Sequence, residues 1–194
     1  MKKKNSKLKV KSMKIADVKH IFHQPYNDER GYLERIFCSD ELRGYLKKDK
    51  IVQVNRTLTR KKGTIRGLHY QKRPFDEIKI IQCLKGELID VAVDLRKNSK
   101  TFLKHVTLIL SSRKKESILI PQGFAHGFQS LTDNVELLYL HTKAYNARYE
   151  DGINPFDKVI SINWPLKCKF ISHRDKNLNM ISENILKKGL NNGV

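Results

Sequence analysis

The sequence predicts an all-β domain, a sandwich or closed barrel, on three observations. Short apolar and β-branched runs recur along the chain, turns rich in Gly, Asn, Asp and Lys separate them, and only two stretches carry helical spacing. No internal repeat or low-complexity linker interrupts the pattern apart from a lysine-rich start. With 194 residues, the expectation is a basic leader over 1–13, without fixed structure, and one domain over 14–194 that ends in a helical tail.

Taken in order, residues 15–22 alternate loosely and predict a short strand, followed by the polar turn NDERG at 27–31 and a second strand over 32–37. The segment SDELRGYLKKD at 39–49 offers Ser39 as an N-cap and brings Leu42, Tyr45 and Leu46 to one face, so a short surface helix is expected. IVQVNRTL at 51–58 sets Val52 and Val54 against Gln53 and Asn55, the period-2 pattern of a strand with one polar face. That polar face lines a cavity or meets solvent; the pattern allows both.

After the turn RKKG comes the stretch 63–86, GTIRGLHYQKRPFDEIKIIQCLKG. Its apolar positions look like strand material, and Arg66, His69, Lys72 and Lys79 are groups able to bind or transfer charge. ELIDVAVDLR at 87–96 predicts a strong strand with Leu88, Val91 and Val93 in the core. Further strands are expected at 105–110 and 117–120, within PQGFAHGF at 121–128, and over 135–145 with Tyr139 and Tyr145 on the last of them. Residues 148–165 read as irregular, and a weak helix is expected over 181–188.

Composition narrows the function classes. No apolar run approaches the ~20 residues a membrane helix needs, and the basic N-terminus lacks the apolar segment of a secretory signal, so a cytoplasmic protein is expected. Cys38, Cys83 and Cys168 are odd in number and widely spaced, which suggests ordinary thiols. Net charge is +19, and seven lysines fall within the first 14 residues; without them the balance is still +12, which favours an anionic partner. No nucleic-acid motif accompanies that charge, so neither nucleic acid nor membrane is the expected partner.

The chemistry-bearing residues group around His69. Gly63, His69, Glu77 and Gly86, followed by Pro121, Gly123 and His126, resemble the two sequence blocks of the cupin double-stranded β-helix, a jelly-roll barrel whose metal is usually held by His-x-His. Here the second histidine position is Gln71, a poor ligand for zinc or iron, so no metal is expected and His69 reads as a proton carrier. Asp175 in SHRDKN is a candidate carboxylate to orient it. Read without these blocks, a lone histidine such as His69 is more often a structural or surface residue.

The whole series closely resembles the dTDP-4-dehydrorhamnose 3,5-epimerase family, which acts on nucleotide-linked 4-keto-deoxysugars. DERGYLERIF, QVN, GTIRGLHYQ, IKIIQCLKGELIDVAVDLRKNS, IPQGFAHGFQSL, ELLY, INWP and the RD at 174–175 carry the likeness. It implies a cupin-like barrel with a few short peripheral helices, a homodimer, no cofactor, and epimerisation at C3 and/or C5 in surface-polysaccharide synthesis. By the same resemblance His69 is the base, Asp175 its partner, Tyr139 the proton donor on the other face and Lys79 the cation that stabilises the enolate. Arg66, Gln53, Asn55, His126 and Tyr145 match positions that bind sugar and diphosphate, and Arg30 matches the position where a dimer partner reaches the nucleotide.

Departures cluster at the substrate's edges. AYNA at 144–147 lacks one aromatic ring and a proline, GINPFDK at 152–158 lacks a tryptophan, and Arg35 stands near a position that often holds glutamate. They leave the nucleotide and the sugar open. Rivals on the same scaffold are a C3-only epimerase, a 3,4-ketoisomerase and a non-catalytic sugar-nucleotide-binding cupin.

Overall fold

A computed structural model describes residues 6–181, and the helix expected over 181–188 falls, past its first residue, outside them. The strands are β1 (Leu8–Ser12), β2 (Lys19–His23), β3 (Tyr26–Asp28), β4 (Gly31–Leu33), β5 (Gln53–Thr59), β6 (Thr64–Gln71) and β7 (Lys79–Lys85). There follow β8 (Glu87–Asp94), β9 (His105–Ser111), β10 (Glu116–Ile120), β11 (Phe124–Ser130), β12 (Val135–His141), β13 (Glu150–Gly152) and β14 (Phe170–Ile171). The helices are short: α1 (Ser39–Leu46) and α2 (His173–Lys176).

Two sheets form a cupin-like jelly roll. One runs β1-β2-β10-β7-β12-β5 and the other β13-β6-β11-β8-β9, with β14 added in parallel beside β6. Every other residue of a strand points inward. The inward rows interdigitate Ile81, Leu137 and Ile118 of the first sheet with Leu88, Ala92 and Phe124 of the second. Val91 and Val93 lie on the opposite face of β8 from Leu88 and pack under Ile153 and Ile160, while α1 buries Leu42 and Leu46 on the outside of the first sheet. The three core positions expected on β8 are therefore all buried, but in two different layers.

Local boundaries differ from the sequence reading in a few places. Residues 15–18 make a turn before β2, and the strand expected over 32–37 is a short hairpin, β3–β4, that ends at Leu33. The helix starts one residue early, with Cys38 as N-cap and no side-chain capping bond. Tyr145 lies in the loop beyond β12, and β13 forms inside the stretch expected to be irregular.

The basic leader needs the largest correction. Residues 8–12 are not an unstructured appendage but the edge strand β1, paired with β2 in the register Leu8↔His23 to Ser12↔Lys19. The lysines hide a period-2 pattern: Leu8 is buried and Val10 half-buried, while Lys9 and Lys11 face solvent. Glu41 on α1 holds the strand's start, its Oε2 accepting from Ser6 Oγ at 2.6 Å and from the backbone N–H of Lys7 and Leu8 at 2.8 and 2.9 Å. Arg35 donates to the other oxygen.

Burial alone would raise the Glu41 pKa, but those hydrogen bonds outweigh it and hold the carboxyl at about 2. Its stabilising contribution is thus complete above the ordinary value of 4.5 and is lost as pH falls toward 2. Glu41→Gln is expected to speed hydrogen exchange of the β1 amides about tenfold at neutral pH, the cost of uncharging a hydrogen-bonded acceptor. Unchanged β1 protection by mass spectrometry would contradict this anchoring.

The backbone also fixes the site's entrance. Gly67 has φ of +119°, and a Cβ there would lie 2.6 Å from Gly127 Cα and 2.8 Å from the His126 carbonyl. No side chain fits between β6 and β11 at this crossing. The register shifts at the same point: Arg66 faces Phe128 and His69 faces His126, so β6 carries one residue more than β11. That bulge lets Arg66 and His69, three apart, reach one cavity although strand alternation alone would send them to opposite faces.

Candidate active site

At one end of the sandwich the inward rows change from apolar to polar, and a cavity of roughly 350 Å³ opens between the sheets. The first sheet contributes Gln53, Asn55 and Thr57 of β5, Lys79 of β7, and Tyr139 and His141 of β12. Arg66, His69 and Gln71 of β6 and His126 and Phe128 of β11 come from the second. Of the ten predicted site residues, eight line this cavity, and Asp175 reaches it through His69. Arg30 does not: it is on the β3–β4 turn, paired with Asp28 at 2.7 Å and largely exposed.

His69 and Asp175, 106 positions apart, form a pair with Nε2 and Oδ1 separated by 2.9 Å. Asp175 is buried and its other oxygen accepts from the Gly67 backbone N–H at 3.0 Å. Ser172, the N-cap of α2, accepts from the Asp175 N–H and fixes the turn that delivers the carboxylate. Burial by itself raises the Asp175 pKa, yet the bonds from His69 and Gly67 prevail and the group lies below the usual carboxylate range. An ionised carboxylate only accepts, so Nε2 carries the imidazole proton and Nδ1 is left as the basic nitrogen.

Lys79 is buried beside Glu77, with Nζ 3.0 Å from Oε1 and 3.3 Å from the His69 carbonyl. Gln71 donates to the second Glu77 oxygen at 2.9 Å and to the Phe75 carbonyl at 3.0 Å, and accepts from the Asn146 N–H at 2.7 Å. These are the positions where the cupin pattern would supply metal ligands. An ammonium on the carboxylate and an amide donating to it do not fit a cation, and among the described residues no group of three or more His, Cys, Asp and Glu is arranged to hold one. Gln71 is a strut between two loops, and Glu77 positions the lysine.

Tyr139 lies across the cavity from β6, on the other sheet. Burial and the nearby Asp90 carboxylate push its phenol well above the ordinary value, so it keeps its proton throughout the neutral range. Buried His126 pairs through Nε2 with fully buried Asp90 at 2.8 Å. Gln53 accepts from the Tyr145 N–H at 2.8 Å and donates to Asn55 at 3.3 Å. The polar face of β5 therefore meets the cavity, and Val52 and Val54 on its reverse are 60% and 57% exposed. Arg66 has no ion-pair partner among the described residues, which leaves its guanidinium available for an anionic group.

A second groove, lined by Arg60, Lys61, Phe170 and Arg174, shares Arg66 and His69 with the cavity. Arg174 also pairs with Glu150 at 2.9 Å, and Glu150 accepts from the Tyr145 hydroxyl at 2.7 Å. The sequence reading missed His141, Lys143, Glu150, Arg174 and the role of Glu77 in holding Lys79. His141 was within reach, since it follows Tyr139 by two along a strand and must share its face. Glu150 opens the three-residue strand β13 and Arg174 sits on the one-turn helix α2, elements too short to leave a periodic signal.

Comparison with known proteins identifies the family. The family model described as dTDP-4-dehydrorhamnose 3,5-epimerase matches residues 12–183. The dTDP-4-dehydrorhamnose 3,5-epimerase of Shigella flexneri is 40% identical over 166 residues, covering 84% of this chain and 90% of the relative. The crystal structure of dTDP-6-deoxy-D-glucose-3,5-epimerase from Legionella pneumophila in complex with dTDP-4-keto-L-rhamnose superposes with a TM-score of 0.86 at 34% identity, covering 92% and 96% of the two chains. A 3'-monoepimerase from Streptomyces bikiniensis in complex with dTDP-quinovose gives a TM-score of 0.81 at 28% identity, covering 87% and 86%. A polar cavity between jelly-roll sheets, a His–Asp pair on one wall and a tyrosine on the other are thus framed by matches along nearly the whole described chain, and the chain belongs to the dTDP-4-dehydrorhamnose 3,5-epimerase family of isomerases.

Proposed function

We propose that the protein epimerises a nucleotide-diphosphate 4-keto-6-deoxysugar at C3, at C5 or at both, as a cytoplasmic step of surface-polysaccharide sugar synthesis. The observation that carries this reading is the placement of His69 and Tyr139 on opposite sheets around one cavity, with Lys79 on its wall. A ketone at C4 acidifies the hydrogens at C3 and C5. Inversion needs a base on one face of the ring, a proton donor on the other and a positive group for the enolate oxygen between them. His69 removes the proton at its free ring nitrogen, Asp175 stabilises the resulting imidazolium, Lys79 faces the enolate oxygen, and Tyr139 returns a proton from the far side.

Arg66 and the neighbouring cations Arg60, Lys61 and Arg174 supply positive charge along the groove that leaves the cavity, which suits a diphosphate. Gln53, Asn55, His126 and Tyr145 bind the sugar. The apolar reverse face of β5, with Val52, Val54 and Leu58 exposed, and the exposed Tyr26, Tyr32 and Leu33 of the hairpin support a homodimer in which Arg30 of a second copy completes the nucleotide site. Light scattering is expected to give twice the chain mass, and a monomer at micromolar concentration would overturn that part.

The functional test is a panel of dTDP-, GDP- and CDP-linked 4-keto-deoxysugars incubated in deuterium oxide and followed by NMR. Exchange at C3 and C5 identifies the double epimerase, exchange at C3 alone the monoepimerase that one structural relative represents. No exchange at either carbon in any sugar would sink the reading.

A further inference from the structure

We propose that His141 is a second hydrogen-bond donor to the C4 oxygen, acting beside Lys79 when negative charge develops there. This rests on the epimerase reading above. The strand register puts His141 opposite Lys79 on β7 and opposite Gln53 on β5, so the three stand in one row across the cavity wall, with Tyr139 in the next row. Directly opposed residues of antiparallel strands have their Cβ atoms about 4.5–5.5 Å apart. All four side chains line the cavity. A sugar whose reacting carbon lies under the Tyr139 hydroxyl and whose carbonyl oxygen faces Lys79 presents that oxygen to His141 as well.

The ring is held but unused. It stacks nearly parallel on Tyr139, 10° between planes and 5.9 Å between centroids, which limits its rotation. Neither ring nitrogen has a hydrogen-bond partner among the described residues, whereas His69 and His126 are each tied to a carboxylate. A half-buried imidazole that lines a polar cavity with neither nitrogen committed among the described residues is free to donate to a ligand oxygen there.

Its charge state suits donation without competition for protons. Burial lowers the His141 pKa, and adjacent Lys79 lowers it further while Glu77 opposes and His126 adds to the depression, to about 4. The imidazole is then neutral in the working range and offers one N–H donor, so it polarises an oxygen and leaves proton removal to His69.

The test compares His141→Val, which removes the donor, with His141→Gln, which keeps an N–H, by measuring kcat, KM and deuterium exchange on the 4-keto sugar that the panel identifies. The expected result is a kcat about 10²-fold lower for H141V with KM within threefold, and at least tenfold recovery in H141Q. Thermal melting checks the fold, and H141L replaces H141V should the latter not fold. A kcat within threefold of the unsubstituted enzyme, or a loss confined to KM, would overturn the proposal. If the unsubstituted enzyme exchanges no proton in any sugar the epimerase reading itself has failed, whereas an active enzyme indifferent to H141V defeats only the role of His141.

Discussion

His69→Gln lowers kcat by about 10²–10⁴-fold, the range lost when a positioned general base is removed, while the fold stays intact. Glutamine is neutral, and its amide nitrogen stands near the place of the ring Nε2, so the buried acid keeps the Gly67 N–H and an amide donor. Asp175→Asn separates orientation from chemistry. Its amide no longer requires the ring proton to be on Nε2, so the basic nitrogen is misassigned and kcat falls by about 10²-fold or more with the imidazole still present. Steady-state rates with matched melting curves check both. If either variant retains kcat within threefold, the pair at 2.9 Å is structural.

Lys79→Met carries the second large effect, and it has two parts. The substitution strands the Glu77 carboxylate, buried and left among the described residues with the Gln71 amide as its donor, and an uncompensated buried charge costs about 3–5 kcal/mol. It also removes the cation from the enolate oxygen, expected to lower kcat by about 10²–10³-fold. The double variant Lys79→Met/Glu77→Gln divides the two. Its unfolding free energy in urea is expected to return to within about 1 kcal/mol of the unsubstituted protein, since both partners of the pair are then uncharged, and its activity stays lost. Recovery of activity together with stability would make Lys79 a structural residue.

Much of this site was legible because jelly-roll strands show their alternation. Gln53 and Asn55 against Val52 and Val54 gave a two-faced strand, and the cavity chose the polar face. His69, Lys79, His126 and Tyr139 stood out as polar groups within apolar runs, and each is on an inward row. Their partners were harder to read. Asp175 could be guessed at only from its motif, since a contact over 106 positions is made by the turn at Ser172 and not by any periodicity. Glu77 looked like a remnant metal ligand, and its pairing with Lys79 depends on how the loop before β7 folds back.

The N-terminal lysines misled for a different reason. Charge counting treats 1–13 as one solvated run, but Leu8 and Val10 alternate with Lys9 and Lys11, and a strand needs only one buried face. Beyond its pairing with β2, the strand's start is held by a distant carboxylate, Glu41, whose partners include backbone N–H groups. Main-chain donors carry no sequence signature, so this contact was invisible. The bulge near Gly67 is similar: two glycines in GTIRG mark flexibility, but the extra residue that turns both Arg66 and His69 into the cavity is set by how closely β11 approaches.

The central claim, that base and acid act from opposite walls, is tested most directly by Tyr139→Phe in deuterium oxide. The phenylalanine ring fills the same space and removes only the donor. Proton removal by His69 persists, so deuterium is expected to enter the unepimerised sugar at C3 with return on the same face, while inverted product falls by about 10²-fold or more by NMR. Inversion at the unsubstituted rate, or loss of exchange and inversion in equal measure, would contradict the two-wall arrangement of His69 and Tyr139.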